Sequence, residues 1–158
     1  MILNNAEMLI NHIRDLIYVQ KILREIRESS SLAEKKSILA QHKNNENLKA
    51  VIKYAYSPDI NFGDNVVENI INLPESNTLD DVYSVWYMLD KLASNNTNSY
   101  IKQEFKDYMA FFPDIEELIT GIITKDLNLG MSIVSINKIL KVLDLDSSQL
   151  AISNWFHK

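Results

Sequence analysis

The sequence predicts an all-α domain, a single irregular bundle of about seven or eight helices. Three observations carry that reading. Apolar residues recur at spacings of three and four, as in Val82, Val85, Trp86, Leu89, Leu92 and Ala93. No run alternates apolar and polar residues over strand length, and no two-residue hairpin signal occurs. Only three glycines and three prolines punctuate 158 residues, and no repeat of solenoid period is present.

The elements follow in order. A long amphipathic helix is expected over residues 5–28, with Leu9, Ile13, Leu16, Ile17, Val19, Ile22, Leu23 and Ile26 on its apolar stripe. Ser29-Ser30-Ser31 ends it, and Ser31-x-x-Glu34 is a capping-box pattern for a second helix reaching His42. Lys43-Asn44-Asn45 breaks the chain, and Asn44 or Asn45 caps a third helix through Leu48, Val51, Ile52 and Ala55 until Pro58 stops it.

Beyond a short loop, Val66, Val67, Ile70 and Ile71 mark a brief helix. Thr78-x-x-Asp81 is placed as the cap of the helix that carries Trp86. The polar run 94–99 reads as a loop, followed by a helix with Ile101, Phe105, Tyr108, Met109 and Phe112 facing inward. Pro113 ends that helix, and Asp114-x-x-Glu117 is expected to cap the next, which carries Leu118, Ile119, Ile122 and Ile123. A last helix follows, with Ile133, Ile136, Ile139, Leu140 and Leu143 on its stripe, and residues 146–158 form a C-terminal tail.

Composition narrows the function. Apolar residues make up 46% of the chain, so a packed core is expected rather than disorder. Cysteine is absent, which removes disulfide and thiolate chemistry. No apolar run approaches a membrane span and the N-terminus lacks the pattern of a signal peptide, so a soluble cytoplasmic protein is expected. Charge is uneven: residues 1–56 hold 9 basic and 6 acidic side chains, a net +3, whereas residues 57–158 hold 7 and 15, a net −8. A nucleic-acid partner would therefore meet a local basic face rather than a basic domain.

Catalytic patterns are missing. No phosphate loop of the Gly-x-x-x-x-Gly-Lys type occurs, and His12, His42 and His157 are too scattered for a metal site. Asp80-Asp81 and Glu116-Glu117 fall in first helical turns, where carboxylates suit the dipole, and Asp144-x-Asp146 reads as a solvated turn. Ser132 and Ser135 have no histidine nearby in sequence to activate them. Tyr54, Tyr56, Tyr83, Tyr87 and Trp86 could stack on bases, but their helical spacing assigns most of them to the core or its margin. No enzyme activity, metal or cofactor is expected.

The stretch from Lys125 to Lys138 holds the sharpest signal. It reads as a corner between two helices, with Gly130 as a left-handed residue and Ser132 as the N-cap of the last helix. Such a corner turns unpaired N–H groups outward at the positive end of a helix dipole, where a phosphate can bind.

The same residues carry a resemblance. Lys125-Asp-Leu-x-x-Gly130-x-Ser132, followed by Asn137-Lys138, resembles the end of the N-terminal helical domain of ATP-dependent DNA ligases of tailed bacteriophages. Lys21-Ile22-Leu23-x-Glu25-Ile26, Lys36, Ile38-Leu39, Lys43-x-Asn45-Glu46-x-Leu48-Lys49-x-Val51 and Tyr56-Ser57 are similar in order and spacing. The likeness covers about residues 20–145, leaving residues 1–19 as an extension of the first helix.

The chain departs from the family in two ways. The nucleotidyl-transfer signature Lys-x-Asp-Gly has no counterpart, and Thr120-Gly121 stands where related ligases often carry basic residues. The resemblance thus implies a non-catalytic module that grips duplex or nicked DNA across the minor groove and along the backbone. Carried over position by position, it implies contacts from Gly130 and Ser132 through main-chain N–H groups and from Lys125, Asn137 and Lys138 through side chains. Lys43, Asn44 and Lys49 form a second set. It also implies the cytoplasm of an infected bacterial host. The acidic second half of the chain supports an alternative, a stand-alone phage protein that binds and inhibits a host protein such as a nuclease or defence effector.

Overall fold

The computed structural model describes residues 6–76 and 82–145. Among these residues the elements are all helical: α1 (Ala6–Glu28), α2 (Leu32–Gln41), α3 (Glu46–Tyr56), a π-helical turn (Val67–Ile71), α4 (Val85–Ser94), α5 (Ser99–Ala110), a 3-10 turn (Pro113–Ile115), α6 (Glu116–Ile123) and α7 (Ile133–Leu140).

Local chemistry sets most boundaries. Ser31 accepts the N–H of Glu34 at 3.1 Å and starts α2, while the Glu34 carboxylate takes the Ser30 hydroxyl rather than closing a reciprocal box. Asn45 accepts from Leu48 N–H at 3.0 Å and starts α3; Asn98 does the same for α5 through Ile101 N–H at 3.1 Å. α1 buries Leu16, Val19, Ile22, Leu23 and Ile26, but Ile17 lies off that face and stays exposed.

Four elements differ from the expectation, and in three of them a distant group helps to cap the helix. α4 begins at Val85 rather than near Thr78: Ser84 accepts Tyr87 N–H at 3.2 Å and His12 Nε2 accepts Val85 N–H at 3.0 Å, so two of the four orphan donors are satisfied there. Thr78 and Asp81 lie outside the described residues.

α6 is not capped by Asp114. Its Leu118 N–H donates to Gln20 Oε1 at 2.9 Å, and Gln20 Nε2 donates to the Asp114 carbonyl at 2.8 Å, so a side chain of α1 caps α6. Glu117 is engaged by Arg24 at 2.6 Å and Arg27 at 2.8 Å, and the Arg24 bond, partly offset by burial, holds its carboxyl below the usual range.

The brief element at Val67–Ile71 is wound as a π-turn, closed by Asn72 N–H on the Val67 carbonyl at 2.9 Å. Lys106 Nζ caps it by donating to the Ile71 carbonyl at 2.7 Å. Next to it in α5, buried Asp107 accepts from the amide and hydroxyl of Ser76 and from Gln103. Burial pushes the Asp107 pKa up, but these donors and the Lys106 charge outweigh it and hold it below the ordinary value.

The fourth difference is at the far end. α7 stops at Leu140, where Lys141 turns left-handed at φ +56°, and Leu143 folds back into the core instead of continuing the helix. One apolar core joins the elements. Leu16, Ile26, Leu39, Ile52, Phe62, Leu89, Phe105, Tyr108, Ile119 and Ile136 are all buried in it. Each fully buried side chain of this kind contributes about 1.5–3 kcal/mol. Tyr108 meets its polar requirement by donating to the Tyr83 carbonyl at 2.6 Å.

Candidate functional site

The link between α6 and α7 is a two-step corner. α6 ends in a Schellman arrangement: Asp126 N–H reaches the Gly121 carbonyl and Lys125 N–H the Ile122 carbonyl, both at 3.0 Å. The left-handed residue that closes α6 is therefore Lys125, at φ +62°, and not Gly130. Gly130 is left-handed too, at φ +70°, but it sits beyond buried Leu127 and Leu129 and leads into α7. Ser132 is the N-cap of α7, accepting Ser135 N–H at 3.0 Å.

Lys125 is half-buried. Its ammonium donates to the carbonyls of Tyr54 at 2.9 Å, Ser57 at 2.7 Å and Ile60 at 2.8 Å, and it lies 5.7 Å from the centre of the Phe62 ring. Burial pushes its pKa down to about 8, while three carbonyl acceptors, which only the ammonium form fills completely, pull the other way. The side chain caps the C-terminus of α3, where a cation suits the dipole. In this structure the ammonium, expected from the sequence at a phosphate, has its three protons on main-chain carbonyls.

Asn137 is likewise turned inward. It donates to the Leu143 carbonyl at 2.9 Å and accepts Leu143 N–H at 2.8 Å, pinning the chain after α7. The other expected contacts stand on the surface. Gly130 and Lys138 are exposed and Ser132 is half-buried. Lys43 and Asn44 are exposed in the turn between α2 and α3, and Lys49 pairs with Glu46 at 3.4 Å. Because α2 packs against α7, the turn with Lys43 and the helix with Lys138 are carried by neighbouring elements.

A residue outside the expected set completes the corner. The Cε and Nζ atoms of Lys35 lie 3.4 Å from where a Cβ on Gly130 would stand. Lys35 Nζ also donates to the last carbonyls of α1, Ile26 at 2.7 Å and Arg27 at 3.2 Å. Arg27 ties the same corner from the other side through the Leu127 carbonyl at 2.9 Å. Nothing in the sequence ranked Lys35 above its neighbour Lys36, since only the fold brings it to Gly130.

Among the described residues, no protein acceptor takes the N–H of Gly130, Ile133 or Val134. The corner thus offers backbone donors beside a lysine at the positive end of a helix. One carboxylate is close in sequence, Asp126, which accepts Asn128 N–H at 2.8 Å.

The aromatic residues divide. Tyr56 is largely interior: its hydroxyl accepts Leu127 N–H at 3.1 Å, and burial pushes its pKa up to about 12. Tyr54 stacks on Trp86 with ring centres 5.5 Å apart, and Tyr83 on Tyr87 at 4.4 Å. Among the described residues no group of three His, Asp or Glu side chains could hold a metal ion, and no helix is long and apolar enough to cross a membrane. Comparison with protein-family models, curated proteins and solved structures returned no match.

Proposed function

We propose that this chain is a non-catalytic DNA-binding module that meets the duplex backbone, as at a nick, through the corner between α6 and α7 and the turn between α2 and α3. The observation that carries the reading is that Gly130, Ile133 and Val134 have N–H groups without a protein acceptor among the described residues, with Lys35 against Gly130. Backbone donors at a helix start, flanked by a lysine, suit one phosphate without reading a base. Lys138 on α7, with Lys43, Asn44 and Lys49 on the α2–α3 side, supplies neighbouring contacts. Lys125 and Asn137 support this surface from within.

Titration into nicked and intact duplex at several salt concentrations tests the reading. Affinity falls linearly on a double-logarithmic salt plot, with a slope of about −0.9 for each phosphate neutralised. Lys138→Glu weakens binding and flattens that slope. Failure to associate with either duplex at low salt would overturn the proposal. A second reading, a host protein as partner, draws on the net −8 of residues 57–158 and on an acid-lined cleft between α1 and α4.

A further inference from the structure

A cleft of about 550 Å³ lies between the N-terminal half of α1 and the start of α4. Its lining includes Asn11, His12, Asp15, Trp86, Tyr87 and Asp90, and no lysine or arginine among the described residues. The two carboxylates come from different helices, Asp15 from α1 and Asp90 from α4.

Internal contacts hold the lining in place. Tyr54 donates its hydroxyl to Asp90 Oδ1 at 2.6 Å while its ring stacks on Trp86, so Asp90 and the indole are positioned by one side chain. Burial first, and then the bond to Asp90, raise the Tyr54 pKa, so the phenol keeps the proton that this bond needs. His12 stands edge-on to Trp86 at 6.3 Å, and its Nε2 accepts Val85 N–H, which requires the uncharged ring. Burial lowers the His12 pKa against the opposing pull of Asp15. The cleft therefore brings two carboxylates and aromatic rings together, with no lysine or arginine among its described lining residues.

We propose that this cleft takes the guanidinium group of an arginine side chain presented by a partner protein. A phosphate backbone is repelled by Asp15 and Asp90, so this surface is separate from the one that meets DNA. A guanidinium answers both features: its planar fork of donors pairs well with a carboxylate, and its flat cation packs beside aromatic rings. A compact ammonium offers no comparable fork. The volume falls within the range of ligand pockets, enough for one side chain and the peptide unit that bears it.

The test uses N-acetyl-arginine amide against its neutral isostere, N-acetyl-citrulline amide, followed through the indole N–H resonance of Trp86 in the full chain. Arginine amide gives a saturable shift and citrulline amide gives none at the same concentrations. Asp15→Asn and Asp90→Asn each weaken the arginine response about threefold, the weight of one exposed ion pair, and the double variant weakens it about ninefold. The asparagine at position 90 keeps an acceptor for Tyr54, so the indole stays in place. Equal shifts from the two amides, or a double variant whose arginine response keeps the parent's strength, would overturn the proposal. The wild-type comparison needs no variant to fold. Lys138→Glu leaves the arginine response unchanged, so this outcome and that of the DNA titration are read separately.

Discussion

Lys125 Nζ donates to the carbonyl of Tyr54 at 2.9 Å, joining the end of α6 to the last turn of α3 across 71 positions of sequence. Ser57 and Ile60 take its other protons. A lysine whose three protons all go to main-chain carbonyls behaves as a built-in cap, and its removal leaves three acceptors short of a donor. Lys125→Met is expected to lower stability by about 2–4 kcal/mol, read as a fall in the urea midpoint. Duplex affinity, measured where the variant is still folded, stays close to that of the parent. A loss of affinity without a loss of stability would return Lys125 to the DNA surface.

Gln20 bridges α1 and α6, accepting Leu118 N–H and donating to the Asp114 carbonyl. Gln20→Ala is expected to cost about 1–2 kcal/mol, the weight of a lost N-terminal cap and its companion bond. Asp114→Ala, at the residue whose local pattern looked like the cap, stays within about 0.5 kcal/mol of the parent. Chemical denaturation of the two variants side by side checks the order. The reverse ranking would put the cap back in the local sequence.

His12 gives the fold a dependence on acid. Its folded pKa lies below the ordinary 6.5, so between the two values the unfolded chain holds a proton that the folded chain does not. The stabilising term is complete above about pH 6.5 and declines as pH falls toward the folded value. The urea midpoint is therefore expected to drop on acidification through this window. His12→Ala costs about 1 kcal/mol at pH 7.5, where the acceptor of Val85 N–H is lost, and shows a shallower acid drop than the parent. Parallel pH profiles for parent and variant would remove His12 from this account.

Gly130 joins a backbone requirement to the proposed phosphate contact. At φ +70° a Cβ is strained, whereas the flexible end of Lys35, 3.4 Å away, would meet it in ordinary van der Waals contact. Gly130→Ala is expected to cost about 1 kcal/mol, mostly from the left-handed backbone. Lys35→Gln keeps a side chain of similar reach but removes the charge, and duplex binding weakens with a salt slope smaller by about 1. An unchanged slope in Lys35→Gln would leave the corner without its cation.

Much of this molecule is legible from the chain itself. The seven described α-helices follow the three-and-four spacing of apolar residues, because each helix must bury one face and the period of that face is written locally. Ser31, Asn45 and Ser132 cap their helices as expected, since an N-cap and the amide it accepts lie three residues apart. For the same reason Gly130 could be assigned a positive φ without coordinates.

What only the tertiary structure decided is the use of each polar side chain. The sequence alone leads to the expectation that Lys125 and Asn137 contact DNA, yet one caps α3 and the other pins Leu143. Lys35, Gln20 and His12 carry no pattern that distinguishes them from other polar residues, and each finds its partner across a packed interface. Apolar periodicity is a property of a segment, so it survives in the sequence. The end of a long polar side chain is placed by whichever unpaired backbone group the fold brings within 3 Å, here up to 100 positions away, and no local rule encodes that meeting.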